Sequence, residues 1–230
     1  SELREARNDI DNLRGAGTGE IKIVASPTVG LSLLPRAILG FKRSRPKVTV
    51  QIGESVYPDA LHQIRGGDVD FAICLIPERP EEDGLSYETL YRDTVTPAVR
   101  IGHALEHRRT KLSELVHLDW VIYRRGTGGL DVFKQTFISL ELEPPSSTIE
   151  CSSFACTIAL VERGDYVTLI PSQLFSDHTI RWGIVPLHMH STMPSWHIAV
   201  IYRSINELSP VCLAFLEELK SVAAARTPLR

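Results

Sequence analysis

Apolar residues near the start of the chain change from the spacing of a buried strand to that of an amphipathic helix. Ile21–Ala25 is a short apolar run that ends at Ser26-Pro27-Thr28. The apolar positions that follow at helical spacing are Leu31, Leu34, Ile38 and Phe41. The pattern therefore predicts a strand, a turn rich in small hydroxyls, and a helix that runs to about Arg43.

The same alternation continues along the first half of the chain. The segment KVTVQI places Val48, Val50 and Ile52 at strand spacing, and Asp59–Arg65 is predicted as a helix closed by Gly66-Gly67. The segment VDFAICLI then reads as a third buried strand. Short apolar runs separated by helices are typical of βαβ units, so the pattern predicts a largely parallel sheet.

A proline- and acid-rich segment, Pro77–Gly84, interrupts this order, and a second series of elements follows it. Strands are predicted at Leu85–Leu90, Thr94–Arg100 and Trp120–Tyr123, in STIECSS and YVTLIP, and near Ile184–His188 and His197–Tyr202. Helices are predicted at about Leu130–Leu140, in FACTIALVERG and in the last apolar segment, Val211–Leu219. The expected architecture is two α/β lobes of similar size with a cleft between them.

Composition narrows the class of protein. The 230 residues carry a formal net charge of −3, with 43% hydrophobic and 23% charged residues, which is ordinary for a soluble globular protein. The chain as a whole is therefore no electrostatic match for nucleic acid. No run approaches the roughly 18 apolar residues of a membrane span, and the charged N-terminus shows no secretory signal.

Four cysteines, at positions 74, 151, 156 and 212, lack the spacing of a metal or redox motif. Most of them lie inside apolar segments. We expect reduced thiols in the core of a cytoplasmic protein, with disulfides as the alternative.

Six segments in succession carry a family resemblance. They are GEIKIVAS (Gly19–Ser26), LLPRAILGFKRSRP (Leu33–Pro46), ALHQIRGGDVDFAI (Ala60–Ile73), GHAL (Gly102–Leu105), LSEL (Leu112–Leu115) and VERGDYVTLIP (Val161–Pro171). In this order and spacing the chain resembles the effector-binding region of LysR-type transcriptional regulators. It departs from the family pattern at Ala104, where proline is usual, and at Asp165-Tyr166, where a second glycine is common.

The resemblance implies an α/β fold with two Rossmann-like lobes of the periplasmic-binding-protein type II, joined by two crossover strands around a ligand cleft. Lobe I would comprise residues 19–91 and 197–230, and lobe II residues 92–196. Residues 1–18 are similar to the end of the family's linker helix. The N-terminal DNA-binding domain of such regulators is expected to lie outside this sequence.

The resemblance also implies the partners. These are a small-molecule inducer, further copies of the chain in a dimer or tetramer, DNA through the N-terminal domain alone, and RNA polymerase. The expected self-association surfaces are the helices at Leu31–Arg43 and Asp59–Arg65 and the last helix. We expect a cytoplasmic, non-enzymatic protein with no cofactor, no metal and no membrane contact.

Lobe I offers two strand-end loops that suit a ligand. Ser26, Pro27 and Thr28 end the first strand at a helix N-terminus, where hydroxyls and free N–H groups favour a carboxylate, sulfonate or phosphate. Simple helix capping by Ser26 is the alternative reading. Tyr57, after the second strand, is expected either to line the cleft with its ring or to pack in the core.

Lobe II offers two further loops. In YRRGTGGL, Arg124 or Arg125 could pair with an acidic group, while Gly126, Thr127 and Gly128 offer backbone amides and a hydroxyl. The alternative is a solvated arginine pair beside a flexible loop. No Gly-Lys-Ser or Gly-Lys-Thr follows, so the segment is not a phosphate-binding Walker motif.

The second loop of lobe II holds Ser153 and Phe154, which give a hydroxyl and an aromatic wall, or else a helix cap and a core residue. Together the loops of both lobes favour a ligand with an anionic head and a compact body.

Other chemistries have weaker support in the sequence. His188 and His190 in HMH could begin a metal site with His178 and His197, but no carboxylate or thiol follows at diagnostic spacing, so surface histidines are preferred. The sequence lacks the Gly-x-Ser-x-Gly elbow of a serine hydrolase. Two rival functions stay open, namely a free-standing solute-binding protein of a transport system and a cleft enzyme.

Overall fold

The computed structural model describes residues 17–78, 80, 84–124, 132–146, 148–176 and 183–225. The chain divides into two compact units. The first unit comprises the residues up to Arg92 together with those from His197 onward, and the second comprises Asp93–Trp196. The linker-like segment at residues 1–16 lies outside the described residues.

The first hundred residues supply seven of the described elements. In chain order they are β1 (Thr18–Ala25), α1 (Pro27–Leu31), α2 (Leu33–Ser44), β2 (Lys47–Glu54), α3 (Asp59–Gly66), β3 (Phe71–Ile76) and β4 (Ser86–Arg100).

The remaining described elements follow in the same order. They are β5 (Arg109–Thr110), α4 (Leu112–Leu115), β6 (Trp120–Tyr123), α5 (Val132–Ile138), β7 (Thr148–Cys151), α6 (Phe154–Arg163), β8 (Thr168–Pro171), α7 (Gln173–Ser176), β9 (Ile184–Pro186), β10 (His188–Met189), β11 (Ser195–Tyr202), a 3-10 turn (Ile205–Glu207) and α8 (Pro210–Ala224).

The first unit is built on strands in the order β2-β1-β3-β11-β4. β1 is parallel to both β2 and β3, so the carboxyl ends of these three strands meet at one edge of the sheet. Side chains of β3 alternate between two hydrophobic clusters. Phe71 and Ile73 pack with α2 and α8, while Ala72 and Cys74 pack with α3. Burial on both faces explains why this strand is a continuous apolar run.

In the second unit, β6 and β7 form a parallel pair, while β8 and β9 both run antiparallel to β4. Trp120 of β6 is fully buried, and its indole N–H donates to the carbonyl of Leu115 at 2.9 Å. The rings of Phe133 and Phe137 on α5 contact Trp120 edge-on, at centroid distances of 5.2 and 5.5 Å. These contacts hold β6 in place.

Three predicted elements differ in the structure. The helix expected to run to about Arg43 is interrupted at Ser32, whose hydroxyl donates to the carbonyl of Thr28 at 2.8 Å and competes with the backbone ladder. The two strands expected at Leu85–Leu90 and Thr94–Arg100 are one strand, β4, because no glycine or proline separates them. The strand expected at Ile184–His188 is divided into β9 and β10, which pair with different partners.

The sheet is also less parallel than predicted, because β11 runs antiparallel to β3. This strand comes back from the second unit and needs no crossover helix to reach its place. No helix in the described part of the chain combines the length and the apolar character that a membrane span requires.

Candidate functional site

The first candidate loop lies at the edge where β1, β2 and β3 end. The backbone N–H of Ser26 donates to the carbonyl of Ile73 at 3.0 Å, which ties the loop to β3. On the other side, the N–H of Ser55 donates to the carbonyl of Ala25 at 3.1 Å. Parallel pairing thus brings the residues after β1 and after β2 next to each other.

Ser26 is 7% exposed and occupies the N-cap position of α1, but its side chain makes no capping hydrogen bond. Its Oγ instead lies 3.3 Å from Oγ1 of Thr28. Since each hydroxyl carries one hydrogen, this contact uses only one of the two donors. The capping alternative is therefore not realised by the Ser26 side chain.

Backbone donors accompany these hydroxyls. Pro27 occupies the first helical position and has no N–H, whereas the N–H groups of Thr28 and Val29 fall in the first turn, where a helix offers no acceptor of its own. The first turn of α1 contains no acidic residue. Around Ser26 the loop thus presents hydroxyl and amide donors without a neighbouring carboxylate in that turn.

Ser55 is a polar neighbour that the sequence reading missed. It is buried, and its Oγ accepts a hydrogen bond from Nε2 of Gln63 at 3.2 Å. The signal was present, because a small hydroxyl directly follows a strand there just as it does at Ser26. Tyr57 is partly buried and packs against the cluster that contains Val24 and Leu61, and its contact with a ligand stays a prediction.

The second unit has its own strand-end loop, between β7 and α6. Ser153 is the N-cap of α6, and its Oγ accepts from the N–H of Cys156 at 3.2 Å. Phe154 is 7% exposed and meets the ring of Tyr123 edge-on at 5.6 Å. At these two positions the structure shows a helix cap and a buried ring, and their contact with a ligand stays a prediction.

Arg124 follows β6 and is partly exposed. Its N–H donates to the carbonyl of Cys151 at 2.9 Å, and its Nη1 lies 3.3 Å from Oε1 of Glu150. An anionic ligand at this guanidinium would have to compete with the Glu150 carboxylate. The other candidates of this loop, Arg125, Gly126, Thr127 and Gly128, lie outside the described residues.

A metal centre has no geometric support in the described part of the chain. Within it, no three His, Cys, Asp or Glu side chains come together in a group that could hold a metal ion. His188 and His190 are exposed, and residue 178 lies outside the described residues.

Comparison with known proteins gives the family. A model described as LysR substrate binding domain matches residues 14–224. The chain is 26% identical over 229 residues to the HTH-type transcriptional regulator GalR of Pseudomonas putida, an alignment that covers 96% of this chain and 56% of GalR. The chain thus spans little more than half the length of that relative.

Solved structures share the fold. The effector binding domain of BenM, solved with its effector benzoate, superposes with a TM-score of 0.69 at 17% identity, covering 90% of this chain and 92% of that one. The effector binding domain of QuiR in complex with shikimate gives a TM-score of 0.72 at 17% identity, covering 90% and 98%. With the family model matching nearly the whole length, the resemblance is confirmed: the chain belongs to the LysR substrate-binding domain family.

Proposed function

We propose that this chain is the effector-sensing part of a bacterial transcriptional regulator and that its effector is a small carboxylate. The observation that carries the proposal is the buried Ser26 hydroxyl, which makes no capping bond at the edge where three parallel strands end. Ligands of open α/β sheets bind at this kind of edge. The effectors in the BenM and QuiR structures, benzoate and shikimate, are both carboxylates.

In this proposal one carboxylate oxygen accepts from a hydroxyl of the Ser26–Thr28 pair and the other from the amides of the first turn of α1. Hydrogen bonds to a charged acceptor are the stronger kind, which suits a site that must recognise a small molecule. Tyr57, Arg124, Gly126, Thr127, Gly128, Ser153 and Phe154 are the further contacts we propose. Among them, Ser153 still has a hydroxyl hydrogen to donate while it caps α6.

The regulatory step would be a population shift. An effector changes the protein only to the extent that it binds two conformations with different affinity. We propose that the favoured conformation alters the packing between copies of the regulator and so the spacing of its DNA-binding domains, with RNA polymerase as a further partner. A protein that acts on DNA in this way would work in the cytoplasm and would not turn over its effector.

The family match favours this function over a free-standing solute-binding protein, because GalR is described as an HTH-type transcriptional regulator. A solute-binding protein would also bind a small anion without catalysing a reaction on it. It differs in having no DNA-linked partner, so binding of the effector alone does not separate the two.

The test is a thermal-shift titration with benzoate, shikimate and a panel of small carboxylates, each paired with its neutral amide or ester. A true effector raises the melting temperature by mass action, worth about 2.7 kcal/mol at a hundredfold excess over Kd. We expect Ser26→Ala to weaken that binding about tenfold or more, since one hydrogen bond to a charged acceptor is lost. The amide and ester should give no shift.

Ser209→Ala is the matched control. Ser209 also precedes a proline and is the N-cap of α8, where its Oγ accepts from the N–H of Cys212. Removing the Ser209 hydroxyl should destabilise the free protein by about 1 kcal/mol and so lower its melting temperature. The increase in melting temperature that the carboxylate causes should stay the same. If Ser26→Ala keeps the full shift, the Ser26–Thr28 loop is not the carboxylate site.

A further inference from the structure

The side chain of Gln63 on α3 extends to the loop that follows β2. Its Nε2 donates to Oγ of Ser55 at 3.2 Å, and Ser55 is 5% exposed. This hydrogen bond occupies one lone pair of the Ser55 oxygen and leaves the hydroxyl hydrogen unused. Because an amide N–H can only donate, Gln63 fixes Ser55 as the donor in any further contact of its hydroxyl.

The parallel register places Ser55 beside Ser26. β1 and β2 pair Ala25 with Glu54, and the N–H of Ser55 donates to the carbonyl of Ala25 at 3.1 Å. Ser26 and Ser55 are therefore the next residues at the ends of two neighbouring strands, whose spacing is about 4.8 Å. Both serines are buried. The Ser55 hydroxyl thus belongs to the same sheet edge as the Ser26 hydroxyl.

Both serine side chains leave their strands on the face that α3 covers. Val24 packs in one cluster with Leu61 of α3. A Cβ added to Gly53 would lie 3.2 Å from Cγ1 of Val24, so positions 24 and 53 share this face. Side chains alternate along a strand, which puts Ser26 and Ser55, each two residues further on, on the same side of the sheet.

The end of α3 that carries Gln63 is held by contacts of its backbone. The Gln63 carbonyl accepts from the N–H of Asp68 at 3.0 Å in the turn after the helix. Arg203, which directly follows β11, donates from its Nη1 to the carbonyl of Ile64 at 3.0 Å. The Ile64 side chain is fully buried. The Gln63 amide therefore approaches Ser55 from a fixed backbone, as a positioning residue must.

We propose that Gln63 is a positioning residue of the carboxylate site, whose amide holds the Ser55 hydroxyl as a donor to the carboxylate of the effector. This role rests on the proposed function, in which the Ser26–Thr28 pair holds that carboxylate. An ionised carboxylate only accepts hydrogen bonds, so it suits hydroxyls that are held as donors. The N–H₂ of a neutral amide would meet the Ser55 hydrogen donor to donor. Gln63 thereby adds to the preference for a carboxylate.

The test is a double-mutant cycle in which isothermal titration calorimetry measures the Kd of benzoate, of shikimate and of any other panel carboxylate that raises the melting temperature. We expect Ser55→Ala to weaken binding about tenfold or more, because a hydrogen bond to a charged acceptor is lost. Gln63→Met keeps the side-chain length and removes the donor, and we expect a loss of about threefold to tenfold. In the Ser55→Ala background the same change should cost less than about twofold.

Gln63→Glu tests the direction of the hydrogen bond. The new carboxylate can only accept, so the Ser55 hydrogen turns toward it and away from the bound carboxylate. We expect weaker binding than in Gln63→Met, by about threefold or more. His62→Glu is the control for charge, since His62 is the exposed neighbour on α3, and its effect should be smaller. Gln51→Met removes an exposed amide that bonds to Glu20 and should leave the Kd unchanged.

Equal losses for Gln63→Met with and without the Ser55 hydroxyl would overturn the proposal, because a purely structural role of Gln63 does not depend on that hydroxyl. The same holds if Gln63→Glu binds as tightly as Gln63→Met. If Ser26→Ala weakens binding while both Gln63 variants bind normally, the carboxylate site stands and only the role of Gln63 fails. If no carboxylate of the panel binds the wild type, both fail. Circular dichroism checks that each variant is folded, and Gln63→Met decides if Gln63→Glu does not fold.

Discussion

Two serines in the same local sequence play different roles. Ser26-Pro27-Thr28 and Ser209-Pro210-Val211 both begin a helix, and the backbone angles at Ser26 and Ser209 are nearly the same, with φ of −65° and −66°. Only Ser209 caps its helix with its side chain. The difference is the next hydroxyl, because Thr28 offers the Ser26 side chain a partner that Val211 cannot offer. A serine at the N-cap position therefore does not by itself determine whether its side chain caps the helix.

Glu88 gives a pH-dependent prediction. Its carboxylate accepts from the Tyr202 hydroxyl and lies 2.6 Å from Nζ of Lys220. Burial acts in the opposite direction, but these contacts prevail and lower the pKa of Glu88 from its ordinary 4.5. A lowered pKa in the folded state stabilises the fold above the unfolded-state value, and the gain is lost as the pH falls through the folded-state value.

We therefore expect Glu88→Gln to lower the free energy of unfolding by about 1 kcal/mol at pH 7, a value that is discounted for its partial exposure. The difference from the wild type should shrink below pH 4.5 and vanish once Glu88 is protonated in the folded protein. Urea titrations at several pH values measure it. Glu217→Gln is the control, since Glu217 is more exposed and lies 3.7 Å from the same ammonium. A difference that stays constant with pH would contradict the role of the charge.

At the scale of elements, Phe215 is the largest of the side chains through which α8 packs into the core of the first unit. Phe215 is fully buried, with its ring 5.5 Å from that of Phe41 on α2 and 5.9 Å from that of Phe71 on β3. We expect Phe215→Ala to cost about 3–5 kcal/mol, from lost burial and a residual cavity. On the same helix Leu213 is partly exposed, so Leu213→Ala should cost less than about 1 kcal/mol. Equal losses in urea denaturation would mean that the α8 core face is misassigned.

Elements were predictable where a continuous apolar run or a clear terminating residue marks them in the sequence. Phe71–Ile76 and Trp120–Tyr123 are strands buried on both faces, and Asp59–Gly66 ends at Gly67 in the left-handed conformation, with a φ of 72°. The prediction failed where a single side chain changes the backbone, as at Ser32. It also failed where a strand continues through polar residues, as β4 does at Arg92 and Asp93. Such positions carry no periodic apolar signal.

The candidate site was predictable to the level of its loops and no further. Strand ends point to Ser26–Thr28 in the first unit and to Ser153 in the second, because each follows the carboxyl end of a strand that pairs in parallel. The neighbours of each loop depend on the pairing register: the Ser55 N–H donates to the carbonyl of Ala25, which brings the hydroxyl after β2 beside the loop after β1. Whether Phe154 lines a ligand or the core depends on its contact with Tyr123, which spacing along the chain does not reveal.

At the scale of the whole molecule, two strands have residues in both units. β4 starts in the first unit and ends in the second, and β11 begins at the last residues of the second and continues into the first. The first unit is therefore completed only when the chain comes back at His197. Its sheet cannot be deduced from local pattern, because β11 enters between β3 and β4 from more than a hundred residues away.

The first unit also leaves large apolar side chains uncovered, and these give the prediction on self-association. Val48 and Val50 of β2 pack into the core, whereas Ile52, two residues further on the same face, is 57% exposed. Leu39 on α2 is 65% exposed. Within the described residues β2 lies at the edge of its sheet, and an exposed apolar edge is a site where another chain can pack. We expect these residues to lie in the contact between copies of the chain.

Sedimentation velocity at micromolar concentrations should show a dimer or larger species for the wild type. The double variant Leu39→Glu with Ile52→Glu should be a monomer, because burying two charges without partners opposes association. Ile101→Glu is the matched control: Ile101 is also 57% exposed but lies in the second unit, and this change should leave the assembly intact. If the Ile101 variant dissociates and the double variant does not, the contact lies on the second unit. A monomeric wild type would show that this chain alone does not hold the copies together.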